Sequence, residues 1–159
     1  MKQHGLLIVW LTLMLALILT ILPLPDWVRP YRPHWTSLAL LYWCIALPHR
    51  IGIGTGFSIG ILLDILTGTL LGQQALSLAL LAYLGIQLHT QLRVSPLGQQ
   101  AWGVLILLSI GHAIQQLISG ATSGQPPSLG YWWIPVLSAF LWPWVFVTLR
   151  DIRRRYQIT

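Results

Sequence analysis

The chain has 159 residues, of which 55% are hydrophobic and 8% are charged, and its mean hydropathy is +0.71. Because a soluble domain usually has about 25% charged residues, this composition excludes an ordinary soluble fold and indicates an integral membrane protein. The formal net charge is +6, but the basic residues are spread over short loops rather than gathered on one face, so the sequence does not predict nucleic-acid binding.

Six apolar segments follow one another along the chain, and most approach the ~20 residues that a helix needs to cross a bilayer. They cover residues 5–22, 34–47, 54–72, 74–91, 99–118 and 132–149. Transmembrane barrels use short alternating strands, which these continuous Leu, Ile and Ala runs do not resemble. We therefore predict an all-α integral membrane protein with six transmembrane helices in one polytopic domain over residues 1–159.

The second apolar segment is unusually short. It follows a loop, residues 23–33, whose four prolines exclude a helix interior and predict an extended connection. Its 14 residues reach about 21 Å as a helix, whereas the hydrocarbon core is ~30 Å thick. Either the bilayer is thinner there, or the flanking Pro33 and Pro48 both lie in the headgroup region.

The third segment has the most distinctive pattern, because glycine occupies every fourth position except one, which is Asp64. The glycines are Gly52, Gly56, Gly60, Gly68 and Gly72. On a helix this spacing places residues on one face, and glycine lets another backbone approach closely. We call this row the glycine stripe and predict that it is a contact surface for other helices. Arg50, in the turn before it, is predicted to anchor the topology or to contact a partner.

Asp64 is the only acidic residue inside a predicted span. A carboxylate within the bilayer costs about 2.5–3.5 kcal/mol on insertion scales, so it usually has a partner or a function. Three interpretations are open: it bonds to another helix or caps a break in the backbone, it holds an ion or proton, or it contacts a partner protein. It lies mid-helix if the helix runs to Gly72, and near the helix end if the helix stops at Gly68.

The fifth segment contains three polar residues, His112, Gln115 and Gln116, whose spacing places them on one helix face. They are predicted to form hydrogen bonds across helices, with a polar cavity as the alternative. The uncharged stretch 119–130 that follows is predicted to be a loop.

The sequence contains no recognisable catalytic or metal-binding motif. The five histidines and the single cysteine show no metal-ligand spacing, and no nucleophile-and-base or paired-carboxylate motif surrounds the serines and threonines. We therefore predict no catalytic residue, no metal site and no cofactor, and so no enzymatic activity.

Basic residues are unevenly divided between the two sides of a six-span layout. The side with both termini would have Lys2, Arg50, Arg93, Arg150, Arg153, Arg154 and Arg155, and the other side Arg29 and Arg32. The positive-inside rule therefore predicts that both termini are cytoplasmic. The arginine run near the C-terminus is also predicted to contact anionic membrane lipids.

Two stretches resemble a known family. Residues 32–84, with the order LYW, ALPHR, GTGF, LD and AYL, and residues 141–156, LWPWVFVTLRDIRRRY, are similar to the rod shape-determining protein MreD family in its gammaproteobacterial form. The resemblance implies a non-catalytic scaffold subunit of the cell-elongation machinery in the bacterial inner membrane. It also implies association with MreC, the actin-like MreB, the glycan polymerase RodA and the elongation-specific penicillin-binding protein.

The same resemblance leaves a second function open. The family is thought to be similar in fold to the substrate-binding subunits of vitamin transporters. The alternative is therefore a small-molecule binding or transport subunit with an intramembrane cavity near Asp64 and His112.

Overall fold

The computed structural model describes residues 2–126 and 129–158, and every regular element within these ranges is helical. The α-helices are α1 (Lys2–Ile21), α2 (Trp35–Ala46), α3 (Ile53–Thr67), α4 (Gln73–Gln87), α5 (His89–Val94), α6 (Leu97–Ser123) and α7 (Trp133–Arg155). Short 3-10 helices at Arg29–Tyr31 and Leu129–Tyr131 lie in the loops before α2 and α7.

The long helices alternate in direction, so the bundle has two ends. Along the contact between α4 and α6, Gln73 Nε2 donates to the Gln115 carbonyl at 3.2 Å and Ser77 Oγ to the Gly111 carbonyl at 3.1 Å, an antiparallel register. The start of α1 lies beside the end of the chain, because a Cβ added to Gly5 would be 3.5 Å from Ile158 Cγ2. We call this the terminal end of the bundle and the opposite one the far end.

Helix α2 is the centre of the bundle. It packs against α1, α4, α5 and α7, and its residues 36–45 are all buried. A helix that is apolar on all sides is typical of a core position. Its 12 residues span about 18 Å, and because other helices surround it, its length need not match the thickness of the bilayer. Burial therefore accounts for the short second segment.

Three helical regions are long and apolar enough to cross a membrane: His4–Ile21, Leu97–Ser123 and Leu129–Arg155. They expose large apolar side chains on their outer faces, such as Leu11 on α1 at 59% and Phe140 on α7 at 81%. Extensive exposed apolar surface is uncommon on a soluble protein and is expected where lipid is the solvent. The structure is therefore that of an all-helical membrane protein.

The predicted limits of two central segments were wrong. Helix α3 ends at Thr67 rather than at residue 72, because Gly68 adopts a left-handed conformation with φ +67° and terminates it. The fourth segment, predicted to run without interruption over residues 74–91, is divided into α4 and α5 at Leu88.

The last two segments are longer than predicted. Helix α6 continues to Ser123, five residues past the predicted limit at residue 118, so the first part of the expected loop 119–130 is helical. Residues 127–128 of that loop lie outside the described ranges. Helix α7 continues past residue 149 to Arg155, so the basic run near the C-terminus is its last turn.

Candidate functional site

The connection between α3 and α4 is a tight turn with a glycine at each side. Gly68 ends α3, and Gly72, with φ +103°, is the N-cap residue of α4. Both conformations are left-handed, which glycine adopts without steric cost. Gly72 has no side chain, however, and so it cannot accept hydrogen bonds from the first N–H groups of α4, as a Ser or Asp at that position would.

Asp64 supplies the missing cap from the last turns of α3. Its side chain is fully buried, and its two carboxylate oxygens accept four hydrogen bonds. The donors are Thr69 Oγ1 at 2.8 Å, Gly72 N at 2.9 Å, Gln74 N at 2.9 Å and Ala75 N at 3.3 Å. We call this set of contacts the Asp64 clamp.

The clamp satisfies the carboxylate almost completely. An ionised carboxylate has about four lone-pair sites, and the four donors use a corresponding number. Negative charge is also stabilised at a helix N-terminus by the helix dipole. A cation at Asp64 would have to displace N–H groups of α4, so the geometry favours the capping interpretation over an ion site.

Two glycines of the stripe let α4 approach α3 closely. A Cβ added to Gly56 would lie 2.7 Å from the Leu78 carbonyl oxygen, and one added to Gly60 would lie 2.6 Å from the Ala75 amide nitrogen. Real Cβ atoms do not come this close to backbone atoms. The stripe therefore contacts a helix of the same chain at these positions, and a partner helix cannot reach them while α4 is in place.

The other glycines of the stripe do not make this close contact with the α4 backbone. A Cβ on Gly52 would be 3.8 Å from Ile86 Cδ1, an ordinary contact distance, whereas Gly68 and Gly72 belong to the turn. Arg50 is exposed in the turn before α3, at the terminal end of the bundle. The structure thus brings Gly56, Gly60 and Asp64 together against α4 and places Arg50 apart from them.

Gln115 connects α6 to the clamp. Its Nε2 donates to Gln74 Oε1 at 2.6 Å and to Ser77 Oγ at 3.2 Å, both on α4. Gln74 also donates its backbone N–H to Asp64. Because Gln74 bonds to both, the carboxylate on α3 and the amide on α6 fix the same turn of α4.

His112 contacts different helices from those that Gln115 contacts. Its ring is 5.6 Å from that of His34, at the start of α2, and 5.4 Å from that of Trp132, before α7. Gln116 does not reach another helix through a described hydrogen bond; its Nε2 is 3.4 Å from His112 Nε2. The predicted polar face of α6 is therefore split between contacts to α4 and contacts to α2 and α7.

A small cavity lies between the contacts of Gln115 with α4 and the contacts of His112 with His34 and Trp132. Its volume is about 10 Å³, and it is lined by His34, Ser37, Ser77, Leu81, Leu108, Gly111, His112 and Gln115. His34 Nε2 and His112 Nδ1 are buried and have no hydrogen-bond partner among the described residues. A cavity of this size holds about one water molecule, which could bond to such nitrogens, but it has no room for a small organic ligand.

The structural roles of two polar residues were missed by the sequence reasoning. Gln100 is buried at the start of α6, donates to the Leu92 carbonyl at 2.7 Å and accepts from Trp142 Nε1 at 3.3 Å. Arg32 donates to the Thr20 and Leu22 carbonyls and so caps the end of α1. Nothing in the sequence around Gln100 indicates that it is buried. Arg32 was interpreted as a topology residue because arginines are common in loops after a span, and that interpretation does not reveal its role as a helix cap.

The close contact of α3 with α4 gives a first prediction. We expect Gly56→Ala and Gly60→Ala to lower the thermal unfolding midpoint in detergent, because the added methyl group must push the α4 backbone away, and overpacking costs about 1–3 kcal/mol. Gly54→Ala is the matched control, since Gly54 is on the same helix and a Cβ there meets nothing within 4 Å. It should keep or raise the midpoint, because alanine favours a helix over glycine by about 1 kcal/mol. Equal midpoints for all three variants would contradict the packing.

Comparison with known proteins agrees with the resemblance seen in the sequence. The profile of the family described as rod shape-determining protein MreD matches residues 1–152. A rod shape-determining protein MreD of Haemophilus influenzae (strain ATCC 51907 / DSM 11121 / KW20 / Rd) is 30% identical over 164 residues, covering 98% of this chain and 99% of that protein. No solved structure matches. The chain belongs to the rod shape-determining protein MreD family.

Proposed function

We propose that this protein is a scaffold subunit of the cell-elongation machinery. In this proposal it is a multi-pass protein of the inner membrane with six spans and both termini in the cytoplasm. It helps to couple MreB and MreC to peptidoglycan synthesis by RodA and the elongation-specific penicillin-binding protein. Membership of the rod-shape family supports the general role, and the coupling is the part that we infer.

The size of the internal cavity is the observation that favours a scaffold over a binding or transport subunit. Pockets for small molecules usually have volumes of about 300–1,000 Å³, whereas the space next to His112 measures about 10 Å³. Asp64 is not open to that space either, because N–H groups of α4 and the Thr69 hydroxyl surround it. A small-molecule ligand beside Asp64 or His112 would require the helices to separate.

The occupied glycine stripe changes where partners are expected to bind. Gly56 and Gly60 face α4 and are buried. Partner helices would therefore use outward faces of the bundle, where apolar side chains such as Trp102 at 69% and Phe140 at 81% are exposed. In this proposal the stripe and the Asp64 clamp build the scaffold and do not themselves bind the partners.

The direct test is purification of the tagged protein from membranes in a mild detergent. A scaffold should copurify with MreC and with the wall-synthesis proteins, whereas an equally abundant tagged inner-membrane protein outside the machinery should not. A preparation that lacks these partners, yet gains thermal stability from a vitamin-sized ligand, would contradict the scaffold and support the transport alternative.

Reporter fusions test the topology. Fusions after Arg93 and at the C-terminus should report the cytoplasm, and a fusion near Gln125 should report the periplasm, because the basic residues are concentrated on the side of both termini. Alkaline phosphatase and green fluorescent protein at the same positions should give opposite signals. A periplasmic C-terminus would exclude the six-span arrangement.

Substitution of Asp64 distinguishes a structural carboxylate from an ion or proton site. Asp64→Leu leaves four donors without an acceptor, at about 1–3 kcal/mol for each buried unsatisfied group. Asp64→Asn keeps one oxygen acceptor, so we expect it to be less destabilising than Leu, with an intermediate unfolding midpoint. In a strain without the native copy, cell rounding should follow the membrane amount of each variant, measured by immunoblot.

Asp26→Asn is the control for loss of a negative charge. Asp26 pairs with Arg29 at 3.4 Å on the surface, where its side chain is 94% exposed, and exposed ion pairs contribute little to stability. This variant should keep both its membrane amount and the rod shape. Round cells with a normal amount of stable Asp64→Asn protein would contradict the structural interpretation, because the loss of function could not then be attributed to a destabilised fold.

A further inference from the structure

A pocket at the terminal end of the bundle is not used by the Asp64 clamp or by the polar residues of α6. It has a volume of about 90 Å³ and lies between α2, α5 and α7. Its lining residues are Tyr42, Ile45, Ala46, Arg93, Phe146, Arg150 and Arg153. One wall is therefore aromatic and aliphatic, and three guanidinium groups border it.

The arginines come from separate parts of the chain. Arg93 is on α5, and Arg150 and Arg153 are one turn apart on α7. All three line the pocket, and no acidic residue of the described chain lines it with them. The lining of the pocket is therefore positively charged.

These positive charges are not neutralised by an ion pair within the part of the chain that the structure describes. The ion pair found there joins Arg29 to Asp26 in the loop after α1, at the far end of the bundle. Guanidinium groups bind phosphate through paired hydrogen bonds. Three of them around one recess are suited to a phosphate group rather than to a single carboxylate.

The position and the walls of the pocket favour a lipid phosphate. Arg150 directly follows the apolar part of α7, which places it where a membrane helix meets the headgroups. The neighbouring wall contains Ile45, Ala46 and Phe146, which suits the apolar part of a lipid better than a free anion. Basic pockets between membrane helices are a known way to hold anionic headgroups.

We propose that Arg93, Arg150 and Arg153 form a specific site for the phosphate of an anionic phospholipid headgroup. The site is distinct from general attraction of basic residues to the membrane surface, because Arg154 and Arg155 are in the same last turn of α7 but do not line the pocket. It holds the ends of α2, α5 and α7 together through one lipid molecule.

The experiment measures the thermal unfolding midpoint of the full chain in detergent as phosphatidylglycerol is added. We expect Arg150→Gln/Arg153→Gln to raise the half-saturating lipid concentration by about thirtyfold. Each arginine near a membrane surface contributes roughly fivefold to lipid binding, and the two factors multiply. Arg154→Gln/Arg155→Gln is the matched control, with the same loss of charge near the end of the same helix. At about 1 M salt the Debye length is about 3 Å, so general attraction to the lipid is screened. The half-saturating lipid concentration of the control should then match that of the unsubstituted protein within twofold, and that of Arg150→Gln/Arg153→Gln should still be higher.

Further arms identify the ligand. Phosphatidylcholine should stabilise the protein much less than phosphatidylglycerol, and inorganic phosphate should not replace the lipid. Equal weakening of lipid binding in both double variants at about 1 M salt would show unspecific surface attraction and overturn the proposal. Stabilisation by phosphate alone, or by an acidic peptide but not by the lipid, would also overturn it. Each midpoint is compared with that of the same variant without lipid, so an altered basal stability does not affect the result.

Discussion

The Asp64 carboxylate is the contact on which the far end of the bundle depends. It links the last turns of α3 to the first turn of α4 through two oxygens and four donors. Because the capping residue Gly72 has no side chain, α4 would otherwise begin with unsatisfied N–H groups at Gln74 and Ala75 inside the protein. The same contact fixes the position of Gln74, whose side chain accepts a hydrogen bond from Gln115 on α6.

Glycine completes this arrangement in two physically different ways. Gly56 and Gly60 are required because the backbone of α4 is too close for a Cβ, whereas Gly68 and Gly72 are required because the chain turns with positive φ. A regular four-residue spacing therefore conceals a change of role after Asp64. Gly56 and Gly60 let α3 and α4 pack closely, and Gly68 and Gly72 let the chain reverse between them. The two helices therefore form a unit in which the glycine face of α3 is already covered by α4.

The sequence predicted part of this arrangement. Asp64 was identifiable because no other acidic residue lies in an apolar segment, and its cap involves only nearby positions, Thr69 to Ala75. The end of α3 was predicted incorrectly because hydropathy continues through residues 69–71 and a sequence does not display the sign of φ at Gly68. The all-helical class followed from composition, which depends on no particular contact.

Contacts between distant positions could not be predicted. His34 and His112 are far apart in the chain, yet their rings are 5.6 Å apart. Arg93 and Arg150 were recognised only as topology signals, and Arg153 as a topology signal and a contact to membrane lipid, although the folding of α5 against the core brings all three around one pocket. Such contacts depend on which helices pack against each other. The sequence predicts this poorly, because the segments are apolar on nearly all faces and their patterns do not distinguish one neighbour from another.

Helix α2 shows why polar groups are concentrated at the far end. Because α2 is short and enclosed, its first N–H groups lie among other helices and not in water. His34 N donates to Ser138 Oγ at 2.9 Å, and Thr36 N donates to Thr20 Oγ1 at 3.3 Å, so hydroxyls of α7 and α1 replace solvent. The Asp64 clamp does the same for α4. A helix that begins inside a membrane bundle needs such acceptors from its neighbours, so the positions of Thr20, Ser138 and Asp64 follow from where α2 and α4 start.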